Sequence, residues 1–158
     1  MAAHYLYLTN ACVVSLVARG GRLAERKVFP VSTPGREGFE RHVRGLKSLP
    51  TRILTDLAEE DFRLDTIPHL RQGDREAVVG RRLNQLFRNS PFRHAILQGR
   101  ETEGRRDDRV VYTAITNSEV LRPWLEILER LEVPVEGIYS SAVFSGRLLG
   151  DLKLVFAH

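Results

Sequence analysis

Five carboxylates stand close together between residues 56 and 65: Asp56, Glu59, Glu60, Asp61 and Asp65. Carboxylates that converge at strand ends are the chemistry of a two-metal nuclease. These five fall on consecutive turns of one loop and strand, so most of them must diverge. The pattern reads as a solvated turn between two strands. The five histidines, at positions 4, 42, 69, 94 and 158, show no H-x-x-x-H or similar spacing, which argues against a metal site. Cys12, the only cysteine, lies in an apolar run and reads as a buried, inert thiol. A lone cysteine excludes a disulfide framework within the chain and any zinc site with more than one thiolate ligand. No G-x-S-x-G, P-loop or G-x-G-x-x-G occurs. Ser15, Ser140, Ser141 and Ser145 have no base partner visible in the sequence.

Arginine is the remaining chemical signal. Three of the 24 basic residues are lysines (Lys27, Lys47, Lys153), so 21 are arginines. The planar guanidinium suits phosphate and carboxylate recognition, yet a net charge of +4 over 158 residues is a weak field for nucleic-acid binding. The segment RETEGRRDDR balances four arginines against four acids and reads as an exposed, salt-laced hairpin tip. Arg81, Arg82, Arg88 and Arg93 form a purer basic cluster. On a helix Arg81 and Arg88 share an azimuth, with Arg82 rotated about 100° from Arg81. The cluster fits a solvated helix face or a partner-binding patch, with Phe92 as its apolar neighbour.

The positioning elements follow from periodicity. Tyr5–Leu8, Val13–Val17 and Arg22–Val31 read as an antiparallel meander, its second turn supplied by Gly20-Gly21. Phe39, Val43 and Leu46 recur at helical spacing, and Pro50 ends that helix. Thr51–Leu57 is a strand, expected to pair parallel with the first strand because a helix separates it from the meander. DFRLDTIP alternates, with Phe62 and Leu64 on one side and Arg63, Asp65 and Ile67 on the other. A helix over Asp74–Phe87, capped by Asp74, buries Val79, Leu83, Leu86 and Phe87. HAILQG and RVVYTAIT are strands joined by an exposed Glu101–Asp108 tip. NSEVLRPWLEILERLEVP is the longest expected helix, capped by Ser118, with Trp124, Leu125, Leu128 and Leu131 buried and Pro123 near its first turn. PVEGIY is a strand, SAVFSGRLL a helix, and LKLVFAH an extended end.

The order is βββ-α-β, β-α-β-β-α, β-α-(β): an α+β fold with a mixed sheet whose middle block forms an inserted lobe. Apolar residues make up 42% and charged residues 28%, ordinary for a soluble chain of one-domain length that builds a core without disulfides or metal. No run approaches the roughly 20 apolar residues of a membrane span, and the N-terminus lacks a charged-then-apolar leader. A reducing, cytoplasmic setting is expected.

This order resembles the first half of the actin-like ATPase fold, built on a ribonuclease-H-like sheet. Within it the chain is similar to the cytoplasmic pilus- and secretion-assembly proteins of the PilM, GspL and MshI type. The resemblance rests on RVVYTAITNSEVLRPWLEILERLEVPVEGIYSSAVFSGRLL, with its helix start, long helix and P-V strand entry, and on TRILTDLAEEDFRLDTIPHL. It implies a ribonuclease-H-like lobe from residues 1–57 and 135–158, an inserted β-α-β-β-α lobe over 58–134, and a chain that is a fragment of a longer protein. Active relatives carry a first phosphate loop like D-I-G-S-S-S-V-K. Aligning Val14-Ser15 with its V-K puts Leu8 at the Asp and Asn10 at the Gly. Leu8 cannot ligate magnesium, and Asn10 blocks close approach of a phosphate.

The resemblance therefore implies a non-catalytic interaction domain, with no cofactor, no metal and no small-molecule substrate. Its partner would be a protein, such as the cytoplasmic tail of an inner-membrane subunit. The implied location is the cytoplasm or the cytoplasmic face of that membrane, with homo-oligomers admitted. Two alternatives stay open: a nucleotide-binding ATPase half that needs a second lobe, and a basic nucleic-acid-binding domain.

Overall fold

The computed structural model describes residues 2–143. Residues 141–143 begin a helical turn; the rest of the expected SAVFSGRLL helix and the LKLVFAH run lie outside the described residues. The chain divides into two compact units: Met1–Leu57 with the chain from Leu121 onward, and Ala58–Val120.

The first unit is built on a five-stranded sheet. Strands β1 (Ala2–Thr9), β2 (Cys12–Arg19) and β3 (Arg22–Pro30) form the antiparallel meander. Gly20 and Gly21 turn β2 into β3 at φ +58° and +76°, the left-handed backbone that a two-residue hairpin loop demands. Helix α1 (Thr33–Val43) follows, then β4 (Thr51–Asp56), which pairs parallel with β1 in the register Tyr5 to Arg52 and Leu8 to Thr55. Later in the chain β8 (Val135–Ser140) pairs parallel with β4, giving the order β3-β2-β1-β4-β8. The expected meander and the parallel pairing of β4 on β1 are both present.

Alternation decides which face of this sheet is buried. His4, Leu6 and Leu8 of β1, Val13, Ser15 and Val17 of β2, and Thr51, Ile53 and Thr55 of β4 are all at most 1% exposed. Helix α1 turns Gly35, Phe39 and Val43 into the core. Its N-cap Ser32 accepts a hydrogen bond from the Gly35 N–H, and a proline occupies its first turn, both helix-start devices. Gly35 is required sterically, because a Cβ there would lie 2.0 Å from the Pro30 carbonyl oxygen.

A 3-10 turn over Ser118–Val120 leads into α3 (Arg122–Arg130). The N-cap of α3 is Leu121, so Ser118 does not cap it as expected. Trp124, Ile127 and Leu128 are its buried stripe, while Leu125 and Leu131 are half-buried. The Trp124 ring meets Phe39 edge-on at 5.2 Å and 87°, and Phe39 meets Phe29 at 5.5 Å, favourable aromatic geometry. This packing places α3 in the first unit rather than in the inserted lobe.

The second unit is a three-stranded antiparallel sheet of order β5-β7-β6, from β5 (Glu60–Ile67), β6 (Arg93–Arg100) and β7 (Asp108–Ile115). Helix α2 (Gln72–Leu86) covers one face. Ile67, Phe87, Val110, Tyr112 and Ala114 form its core, with Val78, Val79, Leu83, Leu86 and Ala95 packed against them. Helix α2, at 15 residues, outruns the nine of α3. Its N-cap is Arg71, and Asp74 lies inside the first turn, where a carboxylate meets the positive end of the helix dipole.

Candidate functional site

The end of β1 and the turn into β2 hold Leu8 and Asn10, the two positions that the sequence alignment set against a phosphate loop. Leu8 pairs with Val13 and is 1% exposed, so its side chain belongs to the core. Asn10 and Ala11 form the exposed turn. Thr9 Oγ1 accepts from the N–H of Ala11 at 3.3 Å and of Cys12 at 3.1 Å, and donates to the Cys12 carbonyl at 3.1 Å. A phosphate cradle works by pointing backbone N–H groups at the anion; in this turn two of them are spent on a threonine oxygen.

Across from Thr9 in the parallel register stands Asp56, which accepts a hydrogen bond from the Tyr7 hydroxyl. That bond pushes the Tyr7 phenol up to about 12. The other members of the acidic run are dispersed. Asp61 binds Arg63 at 2.9 Å and Asp65 binds Arg82 at 2.8 Å. Among the described residues no group of three or more His, Cys, Asp or Glu side chains is placed to hold a metal ion.

Sequence spacing did not reveal a chain of polar contacts that runs from β3 through α1 and β2 to β1 and β4. His4 Nδ1 lies 2.9 Å from Thr51 Oγ1, and His4 Nε2 lies 2.9 Å from Ser15 Oγ. Ser15 Oγ is 2.8 Å from His42 Nε2, and His42 Nδ1 is 3.3 Å from Lys27 Nζ. One direction of donation satisfies every link. Lys27 donates to His42, His42 Nε2–H to Ser15, the Ser15 hydroxyl to His4 Nε2, and His4 Nδ1–H to Thr51. The Thr51 hydroxyl then donates to the Leu49 carbonyl at 3.4 Å. Both imidazoles are neutral in this arrangement. Burial, with the neighbouring His42, lowers His4 to about 4; burial and Lys27 lower His42 as well. Ser15 thus has two histidine partners, but at 1% exposure it is beyond the reach of a substrate. The signal that was present was alternation: His4, Leu6 and Leu8 share one strand face, which marks His4 as interior.

The arginine cluster is divided by the fold. Arg82 is held by Asp65. Arg93 Nη1 donates to the carbonyls of Phe87 at 2.7 Å and Arg88 at 3.2 Å, closing the C-terminal end of α2. Arg88 and Arg93, with Asn84 and Gln85, line a surface cavity of about 320 Å³. Arg81 is exposed on α2, and Phe92 is half-buried, its carbonyl taken by the Ile115 N–H and the Ser90 hydroxyl. A second charged cluster was hidden in the expected hairpin tip. Asp108 is 6% exposed rather than solvated. His69 at 3.0 Å, Arg100 at 3.4 Å and Arg75 at 3.9 Å surround its carboxylate. The His69 hydrogen bond, helped by Arg100, holds Asp108 below the usual carboxylate range.

No protein-family model matches the sequence, and no curated protein matches it. Solved structures do match in shape. One, titled a PilM-PilN type IV pilus biogenesis complex, aligns over 93% of this chain and 49% of its own, with a TM-score of 0.62 and 13% identity. The fold is PilM-like. Another is the cytoplasmic domain of EpsL, an inner membrane component of the type II secretion system of Vibrio cholerae. It aligns over 88% of this chain and 57% of its own, with a TM-score of 0.49 and 15% identity. The chain therefore spans about half the length of the proteins it matches. The PilM-like fold agrees with the α+β, mixed-sheet, actin-like architecture expected from the order of elements.

Proposed function

We propose that this chain is the actin-like part of a bacterial pilus- or secretion-type assembly protein and that it works by binding a protein partner, not by turning over nucleotide. The observation that carries this reading is the β1–β2 turn. It holds the positions aligned with a phosphate loop, with Leu8 built into the core where a metal-organising carboxylate belongs and two turn N–H groups taken by Thr9. The PilM-like fold supports the assembly role, since PilM was solved in a complex with PilN. On this reading the protein acts at the cytoplasmic face of the inner membrane. The partner is the cytoplasmic segment of a membrane subunit, and Arg81, Arg88, Arg93 and Phe92 offer it a basic face with an apolar neighbour. Arg82 contributes less, being paired with Asp65.

Two measurements test this. Adding magnesium and ATP at low millimolar concentration is expected to leave the melting temperature unchanged, because only ligands that bind the native state selectively raise it. An upward shift that adenosine alone does not reproduce would overturn the non-catalytic reading. Crosslinking in cells, followed by identification of the captured protein, is expected to recover an inner-membrane subunit with wild type and to lose it with Arg81→Glu/Arg88→Glu at unchanged melting temperature. Equal capture by both chains would remove the arginine face from the proposal.

A further inference from the structure

Among the described residues the two sheets leave four outer strands: β3 and β8 in one, β5 and β6 in the other. Three of them have irregular pairing. The register shifts at Val17/Ala18 beside β3, at Thr51/Arg52 beside β8, and at Leu97/Arg100 beside β6, where Gly99 stands at φ +91°. Such interruptions blunt an edge against further pairing. Strand β5 differs. It runs eight residues in unbroken register with β7, from Glu60 opposite Ile115 to Ile67 opposite Asp108. Among the described residues no strand pairs with its other edge.

The side chains of β5 are disposed for a particular occupant. Arg63, Asp65 and Ile67 share the α2 face with Tyr112, Val110 and Asp108, and Phe62, Leu64 and Thr66 point to the opposite face. On that face Leu64, Val111 and Ile96 stand in one row across the three strands. Leu64 is 69% exposed and Phe62 37% exposed, so the row ends in an uncovered apolar side chain at the very edge.

We propose that a second copy of this chain pairs with it through β5, antiparallel, about a two-fold axis at Leu64. The sequence Arg63-Leu64-Asp65 is self-complementary in that register. Leu64 faces Leu64, and each Arg63 faces Asp65 of the other copy, twice over. Phe62 falls opposite Thr66 on the Leu64 face. Directly opposed residues in an antiparallel pair sit close enough for opposite charges to attract and like charges to repel. Moving the axis by one residue sets Arg63 against Arg63 or Asp65 against Asp65, so charge selects the register. The present partners of these groups, Asp61 and Arg82, form exposed pairs, which contribute little and yield readily to a new partner. The product is a closed, isologous dimer with a six-stranded sheet, both α2 helices on one face, and the two apolar rows joined on the other.

Sedimentation velocity of the full chain over a concentration series tests the pairing. Wild type is expected to dimerise with a dissociation constant on the order of 100 µM, and Leu64→Lys to weaken it at least tenfold. Arg63→Asp alone opposes acid to acid and Asp65→Arg alone opposes base to base, so each is expected to be monomeric. Mixed in equal amounts they are expected to form a heterodimer, because every opposed pair is then an arginine and an aspartate. Circular dichroism on each variant confirms the fold. A wild-type chain that stays monomeric throughout, as it would if this edge received a strand of another protein, overturns the proposal. So does a dimer indifferent to Leu64→Lys, or two folded single variants that fail to associate when mixed.

Discussion

His4 is neutral because of where alternation puts it. Its ring is fully buried between Thr51 and Ser15, and its pKa of about 4 lies below the usual 6.5. Between those values the unfolded chain binds a proton that the folded chain refuses, so stability falls as pH drops from 6.5 towards 4 and levels off below. The shift corresponds to about 3 kcal/mol for this one group, and the lowered His42 acts in the same direction. Urea unfolding at a series of pH values should show that slope, and His4→Asn should flatten it while lowering stability at neutral pH. A wild-type profile flat from pH 7 to 4 would contradict the buried chain. Gly35 gives a second residue-scale expectation. With Pro30 O only 2.0 Å from the site of a Cβ, Gly35→Ala should cost about 1–3 kcal/mol or more in a denaturant melt. The burial of His4 was legible from the strand pattern. Its link to His42 was not, because residues 38 positions apart meet only once the sheet and α1 are assembled.

Helix α3 shows what periodicity delivers and where it stops. Trp124 and Leu128 are buried as their spacing requires, and Leu128 is 0% exposed. Leu128→Ala should therefore destabilise by about 2–5 kcal/mol, and Leu125→Ala, at a half-buried site, by distinctly less. Equal losses would mean that the stripe is centred elsewhere. The true stripe includes Ile127 in place of Leu125 and Leu131, since a short helix lying on α1 buries only a narrow band. Helix starts were less legible. Asp74 and Ser118 have the right chemistry for caps, yet Arg71 and Leu121 occupy those positions because packing of the stripes sets where each helix begins. Asp108 was hidden for a related reason: a charged residue in a charged stretch gives no sign that two arginines and a histidine will enclose it.

Across the whole chain, the order of elements made the α+β, mixed-sheet architecture readable, because βββ-α-β with a parallel return strand has few solutions. It did not reveal which unit owns α3. That helix follows β7 directly, but its stripe packs on Phe39 and its Arg130 makes two 3.0 Å bonds to the Glu40 carboxylate. An apolar stripe in a sequence does not name its partner. Each unit has its own core, and this is testable by hydrogen exchange on the intact chain. Ile67→Ala, at a site 4% exposed, should lower protection of amides in β5, β6 and β7 far more than in β1 and β4. Uniform loss across both sheets would show one cooperative body.

The outer edge of β3 has a consequence for the protein in a crowded cell. Besides the break at Val17/Ala18, this strand carries Arg22, Glu25, Arg26 and Lys27, and it closes on Pro30, which has no N–H to offer. A strand of this kind is a poor seed for stacking into fibrils, which need flat, uncharged, proline-free segments in register. Concentrated solutions should accordingly stay clear on long incubation and give no thioflavin fluorescence. Replacing Arg26 with valine, on the face opposite Lys27 and its link to His42, should extend the exposed Val28 into an apolar edge that nucleates aggregation while leaving the buried face of the sheet untouched.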